Sequence, residues 1–179
     1  MTYVAVIGPD REASAANRAD AREVGRLLAE RGAYLLTGGL GGVMAAAAEG
    51  AAQVGGVTIG LLPGSDRSAA SRHLSVVIPT GLGQLRNGLL VRAADGLASV
   101  GGSWGTMSEI ALAHRIGRPL VCLDGWTFLD AQGQPVGPER AASPEEAVER
   151  LLTMIAARGE AEASAAAAGF RRAQADDPG

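Results

Sequence analysis

The sequence predicts an α/β fold in which a mostly parallel sheet is covered by helices on both faces. Short apolar runs alternate with segments of helical periodicity along most of the chain. These runs are continuous rather than alternating, which is typical of strands buried on both faces. A length of 179 residues suits one domain, and a content of 47% hydrophobic and 20% charged residues is ordinary for a globular protein.

Six apolar runs predict strands, and turns containing glycine or proline follow several of them. The runs comprise residues 4–8, 33–37, 57–62, 74–78, 96–100 and 119–123. The second run ends in the turn Thr37-Gly-Gly-Leu-Gly-Gly42, and Pro63-Gly64 closes the third. Segment 124–142 carries Gly, Pro and Gln clusters and is predicted to be a loop or a small hairpin.

Helical patterns separate the strands at residues 18–31, 43–54, 83–94 and 104–116. A final helix is predicted after Ser143, a favourable N-cap that is followed by Pro144 and by Glu146, which would complete a capping box. We therefore expect residues 1–158 to form one domain. Residues 159–179 lack an apolar stripe and are expected to be a frayed helix or a disordered tail.

Composition excludes several classes of function. The chain has no lysine, since its 16 basic residues are all arginine, and this excludes a pyridoxal-phosphate enzyme and a P-loop NTPase. A net charge of −3 and 3% aromatic residues predict no nucleic-acid partner. Neither a membrane-length apolar run nor a basic leader is visible, so a cytoplasmic protein is expected.

The lone cysteine and the two histidines predict no metal site. Cys122 lies inside the apolar run 119–123 and is expected to be a core residue, with a reactive thiol as the alternative. His73 and His114 are far apart in the chain and do not have the spacing of zinc ligands.

Three glycine turns predict where a ligand would bind. Gly8-Pro9, residues 38–42 and residues 101–105 each follow a predicted strand, at the edge where doubly wound sheets bind ligands. A glycine turn that opens a helix lets backbone N–H groups approach a phosphate. The alternative is that these glycines only permit tight turns. Neither helix-opening turn matches the dinucleotide pattern G-x-G-x-x-G with an acidic partner.

Arg86 is predicted to lie on the apolar face of its helix, which it shares with Leu89, Leu90 and Ala93. A buried arginine should pair with a carboxylate or with a ligand oxygen, because an unpaired buried charge is costly. The alternatives are a structural salt bridge, to Asp95 or Glu109, and a side chain that extends to water.

Glu109 follows Thr106 by three residues in the motif Gly101-Gly-Ser-Trp-Gly-Thr-Met-Ser-Glu109. A capping box, with Thr106 as the N-cap, accounts for this spacing without any function. The alternative is a carboxylate that meets a sugar hydroxyl or a developing cation at the start of the helix.

These motifs resemble the signature of the LOG family, once mislabelled lysine decarboxylases. The family pattern joins an Arg-Lys pair, Ala-Asp and Pro-Gly-Gly-x-Gly-Thr-x-x-Glu. The corresponding segments here are Arg86-Asn87, Ala94-Asp95 and Gly101–Glu109, and Thr37–Met44 resembles the earlier glycine-rich motif of the family. The resemblance covers about residues 3–123 and implies a Rossmann-like, doubly wound, mostly parallel sheet of about six or seven strands, with helices on both faces.

Three departures from the pattern resemble one branch of the family. Asn87, Gly101 and Ser103 stand where the family has lysine, proline and its second motif glycine. Arg86-Asn87 and Gly105-Thr-Met-Ser-Glu109 resemble the branch that includes the molybdenum cofactor carrier proteins. That branch implies binding of a phosphorylated pterin and does not imply hydrolysis.

The resemblance implies a phosphate-anchored binding or carrier protein for a nucleotide or the molybdenum cofactor. The alternative is a nucleoside 5′-monophosphate phosphoribohydrolase of the LOG type, with Arg86 and Glu109 as its catalytic pair. A structural subunit with a vestigial site is a third hypothesis. A homo-oligomer, either dimer or tetramer, is implied as well, and alanine-rich helices would allow close packing between subunits.

The residues expected to contact the ligand come from the glycine turns and the two charged motifs. Gly105 and Thr106 would hold the phosphate, Arg86 an anionic group, and Glu109 the hydroxyl or amine groups of the ligand. The full set is Gly8, Gly38, Gly39, Gly41, Gly42, Met44, Arg86, Asn87, Gly102, Ser103, Gly105, Thr106 and Glu109.

Overall fold

The computed structural model describes the backbone of residues 1–175 and the side-chain surroundings of residues 1–166, and it confirms the α/β class. The strands are β1 (Tyr3–Ile7), β2 (Tyr34–Thr37), β3 (Thr58–Leu62), β4 (Val76–Pro79), β5 (Gly96–Val100), β6 (Leu120–Leu123), β7 (Phe128–Leu129), β8 (Pro135–Val136) and β9 (Glu139–Ala141). The helices are α1 (Ala15–Glu30), α2 (Gly42–Gln53), α3 (Arg86–Ala93), α4 (Trp104–Arg115) and α5 (Pro144–Ala175).

Seven strands form one parallel sheet in the order β4-β3-β2-β1-β5-β6-β9. Six of them are the predicted strands. The seventh, β9, comes from segment 124–142, where β7 and β8 also form the small antiparallel hairpin. The chain moves outward from β1 to β4 and then returns to β5 beside β1, so the direction of winding reverses between β1 and β5. This is a Rossmann-like sheet, and such a reversal is where ligands bind in this architecture.

Two helical layers enclose the sheet, as its uninterrupted apolar strands predict. Helices α1, α2 and α5 contribute Leu28, Val43 and Leu151 to the core on one face. Helices α3 and α4 contribute Leu90 and Ile110 to the core on the other face. The alternation of side chains along each strand supplies both cores.

Helices α1 and α2 pack so closely that glycine is required at their contact. A Cβ atom on Gly50 would lie 1.8 Å from the carbonyl oxygen of Arg22, and one on Gly25 would lie 2.0 Å from that of Ala47. Four alanines of α2 are buried at this contact and against the sheet, namely Ala46, Ala47, Ala48 and Ala51. The alanine-rich helix α2 therefore packs closely against a helix of its own chain, whereas we expected such packing between subunits.

Two helix starts differ from the sequence prediction. Helix α1 begins three residues earlier because Ser14 accepts a hydrogen bond from the N–H of Asn17, whose side chain accepts one in return from the N–H of Ser14. Helix α3 begins only at Arg86, because residues Gly83–Leu85 form a single 3₁₀ turn that starts with a positive φ of 55° at Gly83.

Helix α5 begins as predicted, at Pro144. Ser143 Oγ accepts a hydrogen bond from the N–H of Glu146 at 3.2 Å, while the carboxylate of Glu146 bonds to the N–H of Ala142 rather than to that of Ser143. The helix continues to Ala175. Fraying beyond residue 158 stays a prediction, and the expected tail at residues 176–179 lies outside the described residues. No helix in the described part of the chain is long and apolar enough to cross a membrane.

Cys122 is a core residue, as predicted. It lies on β6 with 3% of its surface exposed, and burial raises the pKa of its thiol. A buried thiol with a raised pKa carries little thiolate at neutral pH, and the reactive-thiol alternative is therefore disfavoured.

The α1–α2 contact predicts that Gly50→Ala destabilises the protein by about 1–3 kcal/mol, because the added methyl group forces two backbones apart. Gly159→Ala is the matched control, since a Cβ at this α5 position meets nothing within 4 Å. It should leave the free energy of unfolding unchanged or raise it by roughly 0.5–1 kcal/mol. Urea denaturation measures both, and equal stability of the two variants would contradict the packing.

Candidate functional site

A cleft of about 220 Å³ opens at the reversal of winding, between the loops that follow β1 and β5. It is lined by Gly8, Asp10, Leu40, Met44, Gln84, Arg86, Asn87, Ser103, Gly105, Thr106 and Glu109. Eight of these belong to the set expected from the sequence, namely Gly8, Met44, Arg86, Asn87, Ser103, Gly105, Thr106 and Glu109. The structure thus brings together residues from four separate motifs.

Arg86 and Glu109 form a buried pair across the cleft. Each is 6% exposed, and Arg86 Nη1 lies 3.5 Å from Glu109 Oε1. The predicted alternative of a salt bridge from Arg86 to Asp95 is wrong. The carboxylate of Asp95 instead accepts a hydrogen bond from the N–H of Tyr3 at 2.8 Å. Within the described residues, the Nε atom of Arg86 is buried without a hydrogen-bond partner. The pair therefore leaves part of the hydrogen-bonding capacity of Arg86 unused.

The buried face of α3 differs from the predicted one. Leu89 is 45% exposed and Ala93 is exposed, whereas Asn87 and Leu90 are buried beside Arg86. The reason is the contact with α4, where Asn87 Nδ2 donates a hydrogen bond to Ser108 Oγ at 2.9 Å. This contact turns α3 so that Arg86 and Asn87 face inward together.

Burial changes the protonation of the pair. It raises the pKa of Glu109 to about 7, and the guanidinium of Arg86 offsets only part of this effect. Burial also lowers the pKa of Arg86, although arginine stays protonated at physiological pH. The carboxyl group of Glu109 therefore gains or loses its proton near neutral pH, beside a permanent positive charge.

Ser103, rather than Thr106, is the N-cap of α4. Its Oγ accepts the N–H of Thr106 at 3.2 Å and lies 2.9 Å from the hydroxyl oxygen of Thr106. The capping-box hypothesis for Thr106 and Glu109 is wrong, because the helix already begins at Trp104 and Glu109 reaches Arg86 instead. The N–H groups of Trp104 and Gly105 have no acceptor within the helix.

None of the four glycines of loop 38–42 lines the cleft, although Leu40 of the same loop does. A Cβ on Gly38 would lie 2.5 Å from both terminal nitrogens of Arg86. A Cβ on Gly41 would lie 2.4 Å from Oδ1 of Asp10, so a carboxylate of the chain itself lies beside the start of α2. A Cβ on Gly39 would likewise clash with the side chain of Leu62, and one on Gly42 would clash with the backbone of Asp10. Close packing thus accounts for glycine at these four positions, and a contact between them and a ligand stays a prediction.

Gly102 and Gly8 also owe their identity to close contacts. A Cβ on Gly102 would lie 2.8 Å from Trp126, and Gly102 does not line the cleft. Gly8 does line it, and a Cβ there would lie 2.4 Å from the carbonyl oxygen of Val100. Gly105 is different, because the nearest atom to a Cβ at this position would be Ser103 Oγ, at 3.8 Å. No contact within the described residues requires glycine at position 105.

Sequence reasoning missed Asp10, Leu40 and Gln84, which also line the cleft. Asp10 directly follows the Gly8-Pro9 turn, so its place after β1 was a usable signal. Gln84 lies in the 3₁₀ turn that delays the start of α3, and no residue pattern indicated that turn. Among the residues described, no group of three His, Cys, Asp or Glu side chains could hold a metal ion.

Glu109→Gln tests the pKa of the buried carboxyl group. Because the folded pKa is above the unfolded one, the stability that Glu109 contributes below about pH 4.5 is lost as the pH rises through about 7. The free energy of unfolding of Glu109→Gln relative to the parent should therefore increase by on the order of 2–3 kcal/mol between pH 5 and pH 8. Glu149→Gln, at an exposed position on α5, should show no such trend. Parallel pH profiles for both variants would contradict the raised pKa.

Two solved structures with the same fold are of proteins that handle the molybdenum cofactor. The molybdenum cofactor binding protein from the phototrophic bacterium Rippkaea orientalis is 33% identical, with a TM-score of 0.78 over 86% of this chain and 97% of its own. The molybdenum cofactor carrier protein from Chlamydomonas reinhardtii is 34% identical, with a TM-score of 0.76 over 87% of this chain and 98% of its own.

An uncharacterised protein of Archaeoglobus fulgidus is 39% identical over 133 residues, which is 74% of this chain and 83% of that protein. The family model of the SLOG cluster4 family matches residues 1–171. The match includes every strand of the sheet and every residue of the cleft, and the chain belongs to the SLOG cluster4 family.

Proposed function

We propose that this protein binds and carries the molybdenum cofactor or a nucleotide, which it anchors by a phosphate group. The observation that carries the proposal is Arg86, a buried cation in the cleft wall whose Nε has no partner among the described residues. An anion supplied by a ligand would add charge-assisted hydrogen bonds to this guanidinium. The names of the two similar solved structures support the cofactor as the ligand.

The phosphate is proposed to lie at the start of α4. The backbone N–H groups of Trp104 and Gly105 point out of the helix end, where the positive end of the helix dipole also favours an anion. Ser103 and Thr106 add hydroxyl groups at the same place. The start of α2 is the weaker candidate, because Asp10 already supplies a negative charge there.

The remaining wall of the cleft suits the organic part of such a ligand. Leu40 and Met44 supply apolar contact, while Gln84 supplies both a donor and an acceptor. Glu109 donates or accepts according to its protonation state, which changes near neutral pH. A phosphorylated pterin or a nucleotide carries ring nitrogens, amines and hydroxyl groups that match these partners.

Hydrolysis of a nucleoside 5′-monophosphate is the second candidate, and the buried Arg86–Glu109 pair favours it. In this mechanism Arg86 positions the substrate, while ionised Glu109 stabilises a ribosyl centre with oxocarbenium character or orients water. Incubation with a panel of nucleoside monophosphates, followed by chromatography, distinguishes the two functions. We expect no release of free base; release that disappears in Glu109→Gln would establish the hydrolase instead.

Gly105→Ala tests the position of the phosphate without disturbing the fold, because the nearest atom to the added methyl group would be Ser103 Oγ, at an ordinary van der Waals distance of 3.8 Å. It should weaken binding of neopterin 3′-phosphate and of GMP by about 1–3 kcal/mol, since it obstructs a charge-assisted hydrogen bond to the backbone. Isothermal titration measures both affinities. Gly88→Ala is the control, because position 88 on α3 is equally open and does not line the cleft.

Unchanged affinity in a folded Gly105→Ala variant would move the phosphate away from α4. Failure of the parent protein to bind either probe would overturn the proposed function itself. The homo-oligomer implied by the family resemblance belongs to the same proposal, and light scattering of the titrated samples measures it.

A further inference from the structure

We propose that Trp104, braced by Trp126, is the surface on which the planar ring system of the bound ligand stacks. This inference rests on the proposed function, because it assumes a phosphorylated ligand anchored at the start of α4. It adds the chemical feature that the ligand must carry, an aromatic heterocycle, and names the residue that selects for it.

The two tryptophans of the chain form one exposed aromatic pair. Their ring centroids are 5.0 Å apart and their planes meet at 77°, an edge-to-face contact. Trp104 is nevertheless 75% exposed and Trp126 is 40% exposed. An indole left this open on a chain with 3% aromatic residues has apolar area that the fold itself does not use.

Trp126 is held rigidly against the second glycine loop. It packs on Gly102 so closely that a Cβ there would lie 2.8 Å from the indole, and its carbonyl oxygen accepts a hydrogen bond from Arg140 Nη1 at 3.2 Å. Gly125 beside it leaves no room for a side chain, since a Cβ would lie 2.5 Å from the carbonyl oxygen of Gly101. The loop after β6 and the loop after β5 are thus fixed to each other.

This arrangement requires unfavourable backbone geometry at Asp124. Its φ is 61°, the one positive φ of a non-glycine residue in the described part of the chain. Asn17 Nδ2 holds the Asp124 carboxylate at 3.0 Å and so stabilises the turn that delivers Trp126. Strained residues of this kind are concentrated at functional sites, because neighbouring contacts must maintain them.

The backbone of Trp104 lies where the phosphate is proposed to bind, and its indole lies beside the cleft rather than in the cleft lining. Trp104 is the first residue of α4, and its neighbours Ser103 and Gly105 both line the cleft. Side chains of an α-helix lean toward its N-terminus, so the indole extends past the same helix end that presents the free N–H groups. Stacking requires that a heterocycle joined to the phosphate through a short linker leaves the cleft at this helix end and meets the indole face there.

Stacking on an indole tolerates many rings, since every heterocycle offers a π-face. Trp104 is accordingly expected to increase the affinity for phosphates that carry an aromatic ring and not for phosphates that lack one. Choice between a pterin and a purine is left to the polar groups of the cleft, such as Gln84 and Glu109.

Three probes and three variants test this role. Neopterin 3′-phosphate and GMP carry a ring, whereas ribose 5-phosphate carries only the sugar and the phosphate. Trp104→Ala should weaken binding of the first two about 5- to 100-fold and leave the third unchanged. Trp104→Phe should restore most of the loss, and Leu112→Ala, an exposed position later on α4, should change nothing. Because both tryptophans belong to the pair, the intrinsic fluorescence of the parent should also be quenched by the ring-bearing probes alone.

The outcomes separate this inference from the proposed function. Unchanged or uniformly weakened binding of all three probes by Trp104→Ala would overturn the stacking role while leaving a phosphate site in place. No binding of any probe to the parent would overturn both. A change of oligomeric state in Trp104→Ala with unchanged affinities would make the pair a subunit contact and overturn the inference. Thermal unfolding of each variant checks that it is folded.

Discussion

The cleft depends on the buried pair of Arg86 and Glu109, because the elements around it are shaped to accommodate these two side chains. Gly38 must lack a side chain where the guanidinium lies, and Asn87 ties α3 to α4 so that both charged groups face inward. Their separation of 3.5 Å is long for a charge-assisted hydrogen bond. The hydrogen bonding of Arg86 is therefore incomplete within the described residues, which is typical of a binding site.

The use of arginine at this position follows from the desolvation that the cleft imposes. Burial lowers the pKa of any cation, and a lysine in the same place would lose its charge far more readily. Arginine keeps its charge and offers several N–H groups in fixed directions, so it can contact Glu109 and a second anion together. A chain whose basic residues are all arginine can thus hold a phosphate without the lysine that many phosphate sites use.

The sequence predicted the sheet well because six of its seven strands are uninterrupted apolar runs bounded by turn residues, a pattern typical of strands buried on both faces. It failed at β9, since Glu139–Ala141 is short, partly exposed and paired along one edge only. At the site, the motifs identified Arg86, Ser103 and Glu109, but local sequence patterns could not reveal which glycines line the cleft. That distinction depends on distant atoms, such as the carboxylate of Asp10 beside Gly41, and no spacing rule contains them.

The two glycine loops, one before α2 and one before α4, are similar in sequence but differ in the side chains that surround them. The loop before α2 is filled by Arg86 from one side and by Asp10 from another, so its helix end already faces an anion. In the loop before α4, the hydroxyl of Ser103 accepts a hydrogen bond only from the third N–H group of the helix. No contact within the described residues requires glycine at position 105. A carboxylate lies beside the start of α2, where it opposes a second anion, and this favours the start of α4 for a phosphate in the cleft.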